Sequence, residues 1–261
     1  MSETQNPKKQ RPNSLKKVWL DIFGRICALW ALLLFISTLL IAIFIYLPCF
    51  FLDDPSKARW HRIASRAWMM VYLNLVGCPL KVTGRENFIS GQNYIIFCNH
   101  NSLMDVPVST PYMPRANKTI AKKEFTKIPI FGWIYGFGSV LVDRNSDASR
   151  RKSFEEMKHM LSIGLDMVIY PEGTRNRTKD PLKKFHVGAF RLATDTKKAI
   201  LPAIIFHTKK ILPANKFFYF LPHTIEMHFL PVIDSTNISS DDLQENVFKV
   251  MWEYYLQNDH Q

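Results

Sequence analysis

The chain has 261 residues, 47% of them apolar, with 34 lysine and arginine residues against 22 acidic ones. A chain this rich in apolar and aromatic residues folds around a core, so it is not intrinsically disordered, and its 10 glycines exclude a collagen-like protein. The formal charge of +12 indicates an anionic partner, and nucleic acid, anionic lipid and a phosphorylated substrate are the candidates.

The N-terminal region combines a basic tail, residues 1–25, with an uncharged stretch over residues 26–52, which is long enough to cross a bilayer. A secretory signal peptide has a shorter apolar core of about 7–15 residues, so we predict a retained membrane anchor. The anchor either spans the bilayer once or breaks near Pro48 and stays in one leaflet, with both basic flanks cytoplasmic. The basic residues of the tail are Lys8, Lys9, Arg11, Lys16, Lys17 and Arg25.

Residues 60–76 have nearly helical periodicity, with Arg62 and Arg66 set among apolar and tryptophan side chains. This helix either lies at the membrane interface or packs on the soluble domain. Residues 26–76 therefore form the predicted anchor and interfacial helix.

Beyond residue 80, short apolar segments alternate with polar or helical ones, which predicts an α/β sheet whose sites lie at strand ends. The strands are predicted at residues 80–82, 94–98, 118–121, 139–142, 167–170, 200–206 and 224–230. The clearest helix covers residues 147–162. We predict one catalytic domain over residues 77–255, a tail over 256–261, and disorder in residues 1–15 and the last few.

Neither the cysteines nor the histidines predict a metal site. The four cysteines lie far apart, and we expect reduced thiols packed as small apolar side chains in a reducing compartment. His223 and His228 stand five residues apart, without the His-Glu-x-x-His pattern of zinc proteases. The cysteines are Cys27, Cys49, Cys78 and Cys98.

The first motif with chemical potential is Asn-His-Asn-Ser-Leu-Met-Asp, directly after the predicted strand 94–98. Asp105 can accept a hydrogen bond from one ring nitrogen of His100 and leave the other nitrogen free to take a proton. No Gly-x-Ser-x-Gly sequence is present, so the proton would come from a substrate hydroxyl rather than from a serine nucleophile. The alternative is a helix start with a surface histidine.

Three further segments bring basic residues to strand ends, where they could converge on one phosphate. In Tyr-Pro-Glu-Gly-Thr-Arg, Arg175 offers a planar set of donors, and Glu172 either orients Arg175 or bonds a substrate hydroxyl. Arg144 follows the strand 139–142, and Lys122 follows the strand 118–121. The alternative for each is a solvated charge or a loop-stabilising ion pair.

Four segments in this order resemble the conserved blocks of the glycerolipid acyltransferase family, in particular its 1-acylglycerol-3-phosphate acyltransferases. They are Asn-His-x-Ser-x-x-Asp, Gly-x-x-x-Val-Asp-Arg, Pro-Glu-Gly-Thr-Arg and Leu-Pro-Ala-Ile-Ile. The resemblance runs from about residue 80 to residue 207 and implies a mixed sheet flanked by helices, with an N-terminal membrane-anchoring helical segment.

The resemblance also implies a reaction, in which a fatty acyl group passes from acyl-CoA or acyl carrier protein to lysophosphatidic acid and forms phosphatidic acid. By resemblance, His100 is the base and Asp105 its orienting partner. Acceptor binding falls to Arg144, Glu172 and Arg175, with Lys122 as a further phosphate candidate. Gly173 and Thr174 shape the loop. His186 stands where family members often carry a more basic residue, which makes that contact weaker or dependent on pH.

The predicted site uses no metal and no cofactor, and a backbone amide near His100 is expected to stabilise the oxyanion. We expect a membrane protein whose active site faces the cytoplasm, because acyl donors are cytosolic. The alternatives are an acyltransferase for another lysolipid or glycerol 3-phosphate, and a lipid-binding protein without turnover. Nucleic-acid binding is disfavoured, because no helix-turn-helix or RNA-binding signature is present.

Overall fold

The computed structural model describes residues 14–259. Lys8, Lys9 and Arg11 of the predicted basic tail, and most of the predicted disorder, lie outside this range. Helix α1 begins at Ser14 and ends at Tyr46, so residues 14–25 continue into the uncharged stretch as one helix. Helix α1 is also long and apolar enough to cross a membrane.

Helix α1 and helix α2 (Ser56–Leu75) form an antiparallel hairpin. A 3-10 turn over Leu47–Phe50, with Pro48 near its start, ends α1 where the sequence predicts a break. Indole nitrogens join the two helices at both ends of the hairpin. Trp60 Nε1 donates to the carbonyl of Ile45 at 2.7 Å, and Trp30 Nε1 donates to that of Leu75 at 3.4 Å.

Seven strands form one mixed sheet in the order β1-β7-β6-β2-β5-β3-β4. All neighbouring pairs are parallel except β6 and β7. The bounds are β1 Leu80–Thr83, β2 Ile95–Cys98, β3 Asn117–Lys122, β4 Ser139–Val142, β5 Asp166–Ile169, β6 Ile200–Phe206 and β7 Ile225–Phe229. Strands β2, β5 and β6 are buried throughout, as expected for central strands covered on both faces.

Helices cover both faces of the sheet, and each face has its own buried core. One core joins α1, α2 and the side chains of β2 and β6 that face them; the other lies beneath α5, α6 and α8. The remaining helices are α3 Asp105–Tyr112, α4 Phe131–Phe137, α5 Asp147–Ser162, α6 Val187–Thr196, α7 Thr208–Ile211 and α8 Ser240–Asn258. The sequence predictions of α/β class, seven strands and the helix over residues 147–162 are confirmed.

The predicted amphipathic helix is α2, and it packs on the domain. Its buried face, which includes Trp68 and Tyr72, contacts α1. Its other face leaves Ile63, Met70 and Val71 exposed. On the domain side, Arg62 donates to the carbonyl of Met113 at 3.3 Å, so the packed alternative is confirmed, and a place for the exposed face at a membrane interface stays a prediction.

Candidate active site

The functional residues predicted from the sequence gather at one edge of the sheet, because the carboxyl ends of parallel strands meet there. His100 follows β2, Lys122 ends β3, Arg144 follows β4 and the Glu172 loop follows β5. These strands are neighbours, which brings together residues up to 75 positions apart in sequence.

His100 and Asp105 form a hydrogen-bonded pair. His100 Nδ1 lies 2.8 Å from Asp105 Oδ2, while the backbone amides of Asn101 and Ser102 donate to the same oxygen at 2.6 and 2.7 Å. Asp105 is buried at the first turn of α3 and does not line the cavity beside it. An acceptor with this many donors suits an ionised carboxylate, which fixes the proton of His100 on Nδ1 and leaves Nε2 free to accept one.

Thr208 completes this network and was missed by the sequence analysis. Its hydroxyl donates to Asp105 Oδ1 at 2.6 Å, so both carboxylate oxygens are held. Thr208 is buried at the start of α7, just after β6, and β6 pairs with β2. The sequence shows that Thr208 follows a strand. It does not show that this strand, β6, lies next to β2 in the sheet.

Glu172 is buried beneath the site and accepts hydrogen bonds from two backbone amides. Oε1 accepts the backbone N–H of His100 at 2.7 Å, and Oε2 accepts that of Lys183 at 2.9 Å. The pKa of Glu172 is raised to about 7, chiefly by burial and also by the charge of Asp105, although the two hydrogen bonds and the charge of Lys183 lower it. Among the described ion pairs, none joins Glu172 to Arg175. Glu172 thus ties the base to the following loop, and its predicted contact with substrate stays a prediction.

The loop after β5 depends on Gly173, whose φ of +70° disfavours other residues. A Cβ at this position would lie 2.7 Å from the ring of His186, which packs over the loop. Lys183 Nζ donates to the hydroxyl of Thr174 at 2.6 Å and holds the exposed side of the loop. Gly173 and Thr174 thus both take part in the local structure of the loop, and their predicted role in shaping it for a substrate stays a prediction.

Basic side chains line the mouth of the cavity. Arg144 donates to the carbonyl of Gly173, so its guanidinium bridges the ends of β4 and β5. Arg175 lines the same mouth, with no ion pair among the described residues. The full set is Lys122, Arg144, Arg175, Arg177 and Lys183. No acidic side chain of the described residues lines this cavity, so its electrostatic potential favours an anion.

The cavity has a volume of about 900 Å³ and two chemically distinct sets of lining residues. The basic side chains end or follow β3, β4 and β5, whereas apolar and aromatic residues come from α1, α2 and α4, including Phe35, Trp68 and Phe131. His100 lies on its wall, with its ring 4.6 Å from that of Tyr170. Such a cavity fits a ligand with an anionic head and a long apolar tail.

Backbone amides next to the base are already occupied. The amide of His100 donates to Glu172, and those of Asn101 and Ser102 donate to Asp105. The expected oxyanion donor is therefore none of these three amides. Among residues 14–259, no group of three or more His, Cys, Asp or Glu side chains is arranged to hold a metal ion.

Comparison with known proteins gives the family of this chain. A family model described as "Acyltransferase" matches residues 79–206. The chain is 30% identical over 194 residues to 1-acyl-sn-glycerol-3-phosphate acyltransferase from Borreliella burgdorferi, which covers 72% of this chain and 75% of that protein. The chain belongs to the acyltransferase family.

Other relatives extend the comparison. The protein of the same name from Saccharomyces cerevisiae is 28% identical over 212 residues, 77% of this chain and 66% of its own length. The match to the one from Cocos nucifera spans 43% of that protein, so the chain covers less than two thirds of these two relatives. The solved structure of PlsC, the 1-acyl-sn-glycerophosphate (LPA) acyltransferase of Thermotoga maritima, superposes with a TM-score of 0.78 at 22% identity. That match covers 92% of this chain and 98% of that one, and it shows the shared fold.

Proposed function

We propose that the protein transfers a fatty acyl group from acyl-CoA or acyl carrier protein to lysophosphatidic acid, giving phosphatidic acid. The observation that carries the proposal is one cavity that is lined by His100, by basic side chains and by apolar and aromatic side chains, with Asp105 hydrogen-bonded to His100 behind the wall. The phosphate of the acceptor fits the basic side chains, and acyl chains fit the apolar ones. The names of the relatives support this choice of acceptor.

In the proposed mechanism, Nε2 of His100 removes the proton from the acceptor hydroxyl as its oxygen attacks the thioester carbonyl. The carbon–oxygen double bond becomes a tetrahedral oxyanion, which collapses with cleavage of the carbon–sulfur bond. The thiol then leaves with the proton from His100. Asp105 stabilises the imidazolium that forms between these two steps. The reaction needs no cofactor, because the donor supplies the activated acyl group.

We also propose that the protein lies in one leaflet of a membrane, with its active site on the cytoplasmic face. Near the start of α1, Asp21 pairs with Lys216 at 2.8 Å, and the carbonyl of Gly24 accepts the amide of Phe220. Past its other end, the ring of Phe50 packs 4.9 Å from that of Phe137 in α4. A helix that touches the same domain near both ends favours the bent anchor over a single span. The cytosolic origin of acyl donors favours the cytoplasmic face.

The test is an acyltransfer assay with the full chain in detergent, supplied with lysophosphatidate and an acyl-CoA or acyl carrier protein. Wild type should form phosphatidate and free thiol in equal amounts, whereas His100→Ala should form neither above background. His159→Ala, an exposed histidine on α5, is the matched control and should behave as wild type. If wild type binds lysophosphatidate but no donor–acceptor pair gives product, the protein binds lipid without turnover.

A further inference from the structure

A second pocket, separate from the candidate active site, lies beside the edge strand β4 and has a volume of about 410 Å³. Four lysines from four elements line it: Lys57 of α2, Lys118 of β3, Lys123 at the start of the 3-10 turn that follows β3, and Lys152 of α5. Ser139 is the only residue shared with the larger cavity among those that line the two. The pocket is therefore a distinct basic site.

The charge of this pocket is not balanced by the side chains around it. Glu156 lines the pocket, and Asp54 pairs with Lys118, so two carboxylates face four ammonium groups. Lys118 is only 7% exposed, and Asp54 is its one hydrogen-bond partner among the described residues, although an ammonium group has three donors. Like charges gathered in a concave site attract an anion strongly.

The surroundings of the pocket indicate where that anion comes from. Phe137 lines the pocket and packs against Phe50, which in turn packs 5.8 Å from the ring of Trp133. Phe50 and Trp133 are about half exposed, and Phe51 is 88% exposed. Tryptophan prefers the headgroup level of a membrane, where lipid phosphates lie, and exposed phenylalanine suits the boundary between headgroups and acyl chains. This aromatic cluster, Phe50, Phe51, Trp133 and Phe137, joins the pocket to the end of the helical hairpin.

We propose that the lysine pocket binds the phosphate group of an anionic phospholipid of the membrane, a lipid that is not the reacting acceptor. Ammonium groups act as point charges toward phosphate oxygens, and four of them from separate elements can surround one headgroup. With the aromatic cluster in the interface, the bound lipid fixes how the domain sits on the bilayer. The site is independent of acyl transfer, so it stands or falls separately from the proposed reaction.

Lysine footprinting of the full chain tests the site directly. The protein in neutral detergent is treated with an acetylating reagent, and acetylation at each lysine is measured by mass spectrometry. Mixed micelles with phosphatidylglycerol should slow acetylation of Lys57, Lys123 and Lys152 about fivefold at saturating lipid. Micelles with phosphatidylcholine should slow it much less. Lys158 lies on α5 outside the pocket and pairs with Glu155, so it is the internal reference.

Substitutions and two other probes separate the possible outcomes. Lys152→Ala should weaken the protection of Lys57, whereas the matched Lys158→Ala should not. Equal protection by oleate, which carries a carboxylate, would show diffuse attraction to a charged surface and overturn the proposal. Protection by inorganic phosphate as strong as that by phosphatidylglycerol would assign the pocket to a soluble anion and overturn its assignment to lipid. Absence of protection in every case would leave no anion site.

Discussion

Thr208→Val tests whether the hydroxyl behind Asp105 contributes to the reaction. The substitution removes the donor that lies 2.6 Å from Asp105 Oδ1 and keeps the shape of the side chain. A hydrogen bond to a buried carboxylate contributes about 1.5–3 kcal/mol, and about 1.4 kcal/mol corresponds to tenfold in rate. If the imidazolium of the transition state depends on this carboxylate, kcat should fall by about tenfold to a hundredfold.

The assay is steady-state acyl transfer at varied lysophosphatidate, with unfolding followed in parallel. Thr208 does not line the cavity, so the KM for lysophosphatidate should change little. Thr208→Ser keeps the hydroxyl and should restore most of kcat, which a purely structural effect of the methyl group would not allow. The reasoning is refuted if Thr208→Val keeps the wild-type kcat, or if the serine variant loses as much as the valine variant.

Three further substitutions probe separate parts of the structure. Burial raises the pKa of Asp166 from 3.8 to about 7, so the stability of the wild type falls as pH rises through this range. Asp166→Asn removes this fall. In thermal unfolding the variant should be more stable than the wild type by a larger margin at pH 8 than at pH 5, with an upper bound of about 4 kcal/mol. Gly173→Ala places a side chain at φ +70° and against His186, so it should lower the free energy of unfolding by about 1–2 kcal/mol and also reduce kcat. Gly188→Ala is the control and should change neither quantity, because a Cβ at Gly188 meets no other atom within 4 Å. Arg175→Ala should raise the KM for lysophosphatidate about tenfold or more and leave the KM for monoacylglycerol nearly unchanged, because only lysophosphatidate carries a phosphate. Equal effects on both acceptors would contradict a phosphate contact.

The alternation of apolar and polar segments was enough to predict the strands, because each central strand is a short apolar segment bounded by polar residues. The helix over residues 147–162 has the predicted bounds, because apolar periodicity marks its length and Gly164 follows its end. The structure adds that Ser146 caps its start. The predicted boundary between the basic tail and the anchor, after residue 25, does not coincide with the end of any helix. Helix α1 runs through it, with Asp21 pairing with Lys216 far along the chain.

The sequence predicted which residues lie at the site, but not most of the hydrogen bonds between them and the rest of the fold. The spacing of His100 and Asp105 allowed their hydrogen bond to be predicted, because both lie on one local turn. The partners of Glu172 could not be predicted, since they are backbone amides of residues 72 positions before it and 11 after it. Thr208 required the pairing of β6 with β2, and strand order is a property of the whole sheet rather than of any segment.

The helical hairpin supplies a wall of the candidate active-site cavity. Phe35 of α1 and Tyr72 of α2 line this cavity, so deleting the apolar helix should open it to solvent. A water-soluble variant must therefore keep α1 and exchange outward residues such as Ile41 and Phe44, which are 67% and 71% exposed. A shift in the register of the two helices would reshape this cavity, because both contribute side chains to its wall.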